Sequence, residues 1–200
     1  MSKNQSFTDT EIRMGFATKG VFPYKWAFTL LLPFRNMVLS AEKLISRLEI
    51  TDNHCVLEVG PGPGYFSIPV AQKLKSGKLY IADIQPEMLE YAQKRLRKER
   101  IRNVEYSLCN GSSFDFESNF FDIIFLVTVI GEVENKEAYI SEFNRMLKPD
   151  GVVSITELAG DPDKMTIEQL TALFKKHNFF LDEWFGSKRN FTLNFKKNHE

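Results

Sequence analysis

The sequence predicts an α/β domain: a mostly parallel sheet, covered by helices on both faces, that closes on an antiparallel strand pair and is preceded by N-terminal helices. Three observations carry this. Short runs of branched and aromatic residues alternate with longer stretches of helical periodicity, as in strand–helix–strand units. One run, residues 123–130, is apolar almost without interruption, which suits a central strand buried on both faces. The last two runs are separated only by the five residues 186–190, too few for a parallel crossover.

Taken in order, residues 16–34 are rich in aromatics (Phe16, Phe22, Tyr24, Trp26, Phe28, Phe34), and residues 37–48 alternate apolar and charged side chains at helical spacing. Both read as helical. Residues 1–36 form a segment that either packs as core or acts as a lid, and residues 37–200 form the domain proper. The first strand is Cys55–Val59. A helix over 66–74 follows, with Phe66, Val70 and Leu74 four apart. After the second strand, Lys78–Asp83, a helix over 86–97 starts on Pro86, the position where a missing N–H costs nothing. Its apolar face is Met88, Leu89, Tyr91, Ala92 and Leu96. The third strand is Val104–Leu108, and residues 110–119 read as loop. The fourth strand spans 122–129. A helix over 138–147 (Tyr139, Ile140, Phe143, Met146, Leu147) leads to a fifth strand over 152–157. A helix over 166–176 then precedes strands 179–185 and Phe191–Lys197.

Composition narrows the function. Lys+Arg and Asp+Glu both number 26, so the net charge is zero, which argues against a dedicated nucleic-acid binder. The two cysteines, Cys55 and Cys109, sit in apolar runs and read as buried thiols in a reducing compartment. His54, His177 and His199 have no metal-ligand spacing, so no metal is expected. The polar N-terminus has no signal-like apolar core. The most apolar early stretch, 26–39, is 14 residues long and interrupted by Pro33 and Arg35, too short to cross a membrane. A cytoplasmic protein is the default expectation. Lys19, Lys25 and Arg35 leave peripheral membrane contact open.

The most informative motif is Glu58-Val-Gly-Pro-Gly-Pro-Gly64, between a strand and a helix. Glycines there let the backbone approach a ligand and turn with positive φ, and the following helix start offers unpaired N–H groups. A dinucleotide fingerprint is G-x-G-x-x-G. Here the glycines fall at 60, 62 and 64, so the third comes one residue early. Asp83 ends the second strand, 19 residues after Gly64, and a carboxylate there can accept from both hydroxyls of a ribose.

With three further segments, the motif resembles a family. Glu58–Gly64, then Ile81-Ala-Asp-Ile-Gln-Pro-Glu-Met-Leu89, Phe121-Asp-Ile-Ile-Phe125 and Arg145-Met-Leu-Lys-Pro-Asp-Gly151 resemble the successive motifs of class I S-adenosylmethionine (SAM) dependent methyltransferases. The chain is most similar to their small-molecule branch, which includes the ubiquinone and menaquinone biosynthesis enzymes. The resemblance covers about residues 40–197. It implies a Rossmann-like, doubly wound, seven-stranded sheet of order 3-2-1-4-5-7-6, with SAM as cofactor. Glu58, Gly60, Pro61 and Gly62 would line its methionine end, and Gly64 would permit close packing at the helix start. Asp83 would hold the ribose, and Ile84 and Met88 would flank the adenine. Asn110 of the triplet Asn110-Gly111-Ser112 stands where the family often has an Asp that accepts from the adenine amine, and its amide oxygen could do the same. Val127 and Thr128 would lie beside the methyl donor.

Methyl transfer from a sulfonium is an in-line displacement that needs alignment and only sometimes a base. The reacting face lies beyond the carboxyl ends of the strands, which places Glu132 and Glu157 as candidate acids. Glu132 is a candidate base, and Glu157 could orient a polar group of the acceptor. Related chains often carry a histidine where Gly131 stands, and this chain lacks it. The fourth strand has no Asn/Asp-Pro-Pro-Tyr element of the kind that grips a flipped base. The basic run 94–102 reads as a solvated helix end. The resulting expectation is a methyltransferase acting on a small, apolar or aromatic molecule. A protein or RNA methyltransferase, or a non-catalytic SAM-binding interaction partner, remains the alternative. Glycine spacing and the final hairpin disfavour an NAD dehydrogenase.

Overall fold

The structure, a computed structural model, describes residues 39–198. The expected N-terminal segment 1–36, with its aromatics and basic residues, and His199 lie outside the described residues.

Helix α1 (Ala41–Leu48) starts on Ser40, whose side chain accepts from the Lys43 N–H at 3.2 Å. There follow β1 (Cys55–Val59), α2 (Ser67–Lys73), β2 (Lys78–Asp83), α3 (Pro86–Lys98), β3 (Val104–Leu108), β4 (Phe121–Val127), α4 (Lys136–Met146), β5 (Leu147–Glu157), α5 (Ile167–Lys175), β6 (Phe179–Gly186) and β7 (Phe191–Lys197). Pro86 opens α3 as its position suggests. Asn135 caps α4, and Thr166 and Gln169 form a reciprocal capping box on α5.

The strands make one seven-stranded sheet in the order β3-β2-β1-β4-β5-β7-β6. Six strands run in one direction, and β7 alone is reversed, pairing antiparallel with both β5 and β6. This is the expected Rossmann-like architecture and order. One face, carrying Val56, Ile81, Ile123 and Phe125, packs on α1, α2 and α3. The other, carrying Leu57, Ile124, Leu126, Val153 and Ile155, packs on α4 and α5 through Ile140, Phe143, Leu170 and Phe174. Period-two alternation along buried strands thus feeds two cores, one above and one below the sheet.

Several boundaries differ from the sequence-based ones. β4 stops at Val127, not 129, because Thr128 turns left-handed (φ 56°). α4 starts at Lys136, two residues early, where Asn135 supplies the cap. β5 begins already at Leu147, the last residue of the expected helix, with a register irregularity opposite Phe121–Ile123, so the strand is five residues longer than the expected 152–157. β6 extends to Gly186, which leaves a four-residue link over 187–190 to β7. Cys109 is buried as expected, but Cys55 is only half-buried.

Candidate functional site

Because β3, β2, β1 and β4 are neighbours in the sheet, their carboxyl ends form one continuous edge. Hydrogen bonds fasten those ends to the neighbouring strands. The Gly60 N–H donates to the Ala82 carbonyl (2.8 Å), that of Cys109 to Asp83 (3.0 Å) and that of Thr128 to Thr156 (2.8 Å). The edge therefore brings together the glycine loop after β1, Asp83 and Ile84 after β2, Asn110–Ser112 after β3, and Val127–Thr128 after β4.

Gly60, Gly62 and Gly64 have φ of 68°, 52° and 74°. At Gly60 space adds to conformation: a Cβ there would lie 2.5 Å from Cγ2 of Val129, just past β4. Pro61, Pro63 and Gly64 are buried, whereas Gly60 and Gly62 are half-buried. The loop thus anchors its prolines inward and leaves backbone at 60 and 62 accessible. Pro61, expected to line the methionine end, is buried between the two half-buried glycines. Gly64 sits against α3, where a Cβ would lie 3.4 Å from that of Ala92. Glu58 is buried beneath the loop and accepts a 2.5 Å hydrogen bond from the Ser67 hydroxyl.

Asp83 is 8% exposed. Burial raises its pKa to about 6, against the lowering effect of N–H bonds from Gln85 and Ile84. Its Oδ1 accepts from the Gln85 N–H at 2.9 Å. Ile84 is 39% exposed and presents an apolar surface beside it, whereas Met88 is 3% exposed and belongs to the interior. Of the pair expected to flank a ring, only Ile84 is open.

Asn110 departs most from expectation. Its amide oxygen accepts from the backbone N–H of Ser112 (3.0 Å) and of Ser113 (2.9 Å), and its Nδ2 donates to the Ser113 hydroxyl (2.9 Å). This is a side chain closing its own turn, so the oxygen expected to meet an amine is engaged. Gly111 has φ 84°, and among the described residues nothing lies within 4 Å of a would-be Cβ there.

No sequence pattern pointed to the backbone of Thr128. A β-branched residue at φ 56° is a genuine outlier, of the sort that gathers at functional sites. Its N–H is tied to Thr156 and its hydroxyl to the Val127 carbonyl at 2.7 Å, which hold it there.

The two candidate acids come together. Glu157 ends β5 fully buried, and among the described residues neither carboxylate oxygen has a hydrogen-bond partner. Burial raises its pKa to about 8; Asp161 and Glu132 add to the rise, while Lys164 and Lys136 oppose it. Glu132 is half-buried in the turn after β4, its N–H donating to the Val129 carbonyl at 3.0 Å. Above them, a Cβ at Gly131 would fall on the Asp163 carbonyl oxygen. A histidine side chain at 131 would meet the backbone that fills that place. Among the described residues, no cluster of His, Cys, Asp and Glu could hold a metal ion.

Comparisons with known proteins point mainly to methyltransferases. Residues 56–151 match the family model described as a methyltransferase domain. The ubiquinone/menaquinone biosynthesis C-methyltransferase UbiE of Hydrogenovibrio crunogenus is 30% identical over 112 residues, 55% of this chain and 44% of that protein. The chain spans about half the length of the curated relatives it matches. Among solved structures, a SAM-dependent methyltransferase from Aquifex aeolicus superposes with a TM-score of 0.82 at 20% identity, covering 88% of this chain and 98% of its own. The [4+2]-cyclase SpnF superposes at 0.66 and 20% identity, over 72% of this chain and 57% of its own.

Proposed function

We propose that this chain, whose residues 56–151 match a methyltransferase domain model, is a class I SAM-dependent methyltransferase that transfers a methyl group to a small apolar or aromatic acceptor. The supporting observation is the continuous edge at which the glycine loop, Asp83 and Thr128 meet. The donor set suits SAM. Accessible backbone at Gly60 and Gly62 would border the amino-acid portion. Asp83 would accept from the ribose hydroxyls, with Ile84 against the base. With its amide oxygen closing its own turn, Asn110 would shape the adenine side without contacting the amine. Bound there, SAM supplies an electrophilic methyl group on a leaving group that needs no acid.

The chain's own contribution is then position and proton handling. Val127 and Thr128 would border the methyl group. Glu157, protonated at neutral pH, would offer a carboxylic proton to a polar atom of the acceptor. Glu132 would be the base where the acceptor must lose a proton. An aromatic acceptor and transfer to carbon are suggested by the names of the UbiE relatives.

Calorimetric titration with SAM, S-adenosylhomocysteine (SAH) and NAD tests the cofactor. Binding of SAM and SAH but not NAD, with loss in Asp83→Ala, is the expected result. Absence of SAM and SAH binding would sink the proposal. A second reading, a SAM-binding protein without transfer, draws on the backbone of Asp163 at Gly131 and on the cyclase that shares this fold. SAM binding without turnover on phenol, amine and quinol acceptors would favour it.

A further inference from the structure

The basic run 94–102 does not behave as a uniformly solvated helix end. Arg95 turns inward from α3, and its guanidinium donates to the Pro63 carbonyl at 2.6 Å. Pro63 stands between Gly62 and Gly64, both left-handed. Among the described residues, the Gly60 N–H bond to the Ala82 carbonyl fixes the start of this stretch, and Pro61 and Pro63 are held by burial. Two prolines remove two backbone donors, and glycine loses more freedom on ordering than any other residue. α2 begins only at Ser67, and its first flanking residue, Phe66, provides no side-chain cap. Inside the loop, the Gly64 N–H bonds to the Pro61 carbonyl at 2.9 Å. From outside, α3 contributes Ala92 against Gly64 and, three residues later on the same face, Arg95.

We propose that Arg95 is a positioning residue: by holding the Pro63 carbonyl it fixes the glycine loop in the shape that receives the amino-acid end of SAM. This rests on the cofactor assignment above. α3 begins at Pro86, three residues after Asp83. One rigid helix therefore joins the end that would take the nucleoside to the loop that would take the amino acid, with Arg95 as the clamp at the second end. A charged donor suits the task, because hydrogen bonds from an ionised group are shorter and stronger than neutral ones.

The test compares wild type, Arg95→Ala and Arg95→Lys in two measurements on the full chain. The first is amide hydrogen exchange without ligand. In Arg95→Ala the Gly62 and Gly64 amides should exchange faster, while Val56–Val59 of β1 stay protected and report that the fold is intact. The second is affinity for SAH and for 5′-methylthioadenosine, which keeps the nucleoside and sulfur but lacks the amino acid. Arg95→Ala should weaken SAH about tenfold, the scale of one hydrogen bond to a charged group, and leave methylthioadenosine unchanged. Arg95→Lys, which can still donate from a single ammonium, should recover most of the loss. Equal weakening of both ligands, or unchanged SAH affinity with a looser loop, would overturn the positioning role. If the wild type bound neither ligand, the cofactor assignment itself would fall, and the functional role of Arg95 with it.

Discussion

Replacing Glu157 by Gln keeps the shape of a fully buried side chain and removes its proton equilibrium. The wild-type carboxyl has its pKa raised from 4.5 to about 8, chiefly by burial, with Asp161 and Glu132 adding and Lys164 and Lys136 opposing. The folded chain therefore keeps a proton that the unfolded chain releases at lower pH. The associated stability is fully present below pH 4.5 and is lost as pH rises through about 8. Each pH unit in that window costs ~1.36 kcal/mol. Over its width of about 3.5 units the wild type should lose up to about 5 kcal/mol that Glu157→Gln keeps. At pH 5 the two should differ by no more than about 1–2 kcal/mol, the scale of one altered buried polar group. Urea unfolding from pH 5 to 9, followed by tryptophan fluorescence, gives the difference directly, and other titrating groups such as Asp83 cancel in it. The variant should become progressively more stable than the wild type above pH 5. A difference that stays flat across this range would refute the argument that Glu157 is buried and unpaired.

Asp83 should make SAH binding depend on pH. Its pKa of about 6 means that acidification protonates the carboxylate that would accept from the ribose. Affinity should therefore fall below pH 6, by at most about tenfold per unit, and Asp83→Asn should bind weakly with a flat profile; a flat wild-type profile between pH 5 and 7 counts against the role. Gly60→Ala meets both the left-handed φ of 68° and Cγ2 of Val129. It should destabilise the protein by about 2–4 kcal/mol. Adding Val129→Ala should restore the steric part and leave the conformational part, so a double variant no better than the single one would show that the crowding is misassigned.

The sheet was legible because its strands are short, apolar and punctuated. Lys78–Asp83, Val104–Leu108 and Phe191–Lys197 fall where branched and aromatic residues cluster, and burial on both faces leaves a run such as Phe191–Phe195 little alternative. Most of the departures depend on contacts distant in sequence, and one, at Asn110, on a local turn. The end of β4 at Val127 is set by Thr128, held through its N–H by Thr156 in the neighbouring strand. Asn110 looked like a ligand contact because its position suggested one. Its oxygen is claimed instead by Ser112 and Ser113, a choice that local composition allows but does not announce. The isolation of Glu157 and the inward turn of Arg95 follow from which elements pack above them, and no periodicity encodes that. The edge itself was readable because glycine spacing and strand-end acids are local features.

β7 follows β6 in the chain but lies inside the sheet, between β5 and β6. During synthesis, the edge of β5 stays open and β6 has no neighbour until residues 191–197 have emerged. The same strand also ties down α1. Arg47 donates to the Thr192 hydroxyl (2.8 Å), and the Asn194 amide donates to the Arg47 carbonyl (2.8 Å). A nascent chain that has already made every component of the candidate site thus still carries an unpaired strand edge and a helix without its last anchors. That interval is when such a chain is most open to pairing with a copy of itself. Cleavage anywhere in the link over 187–190 would recreate the exposure in the mature protein if the liberated segment left the sheet.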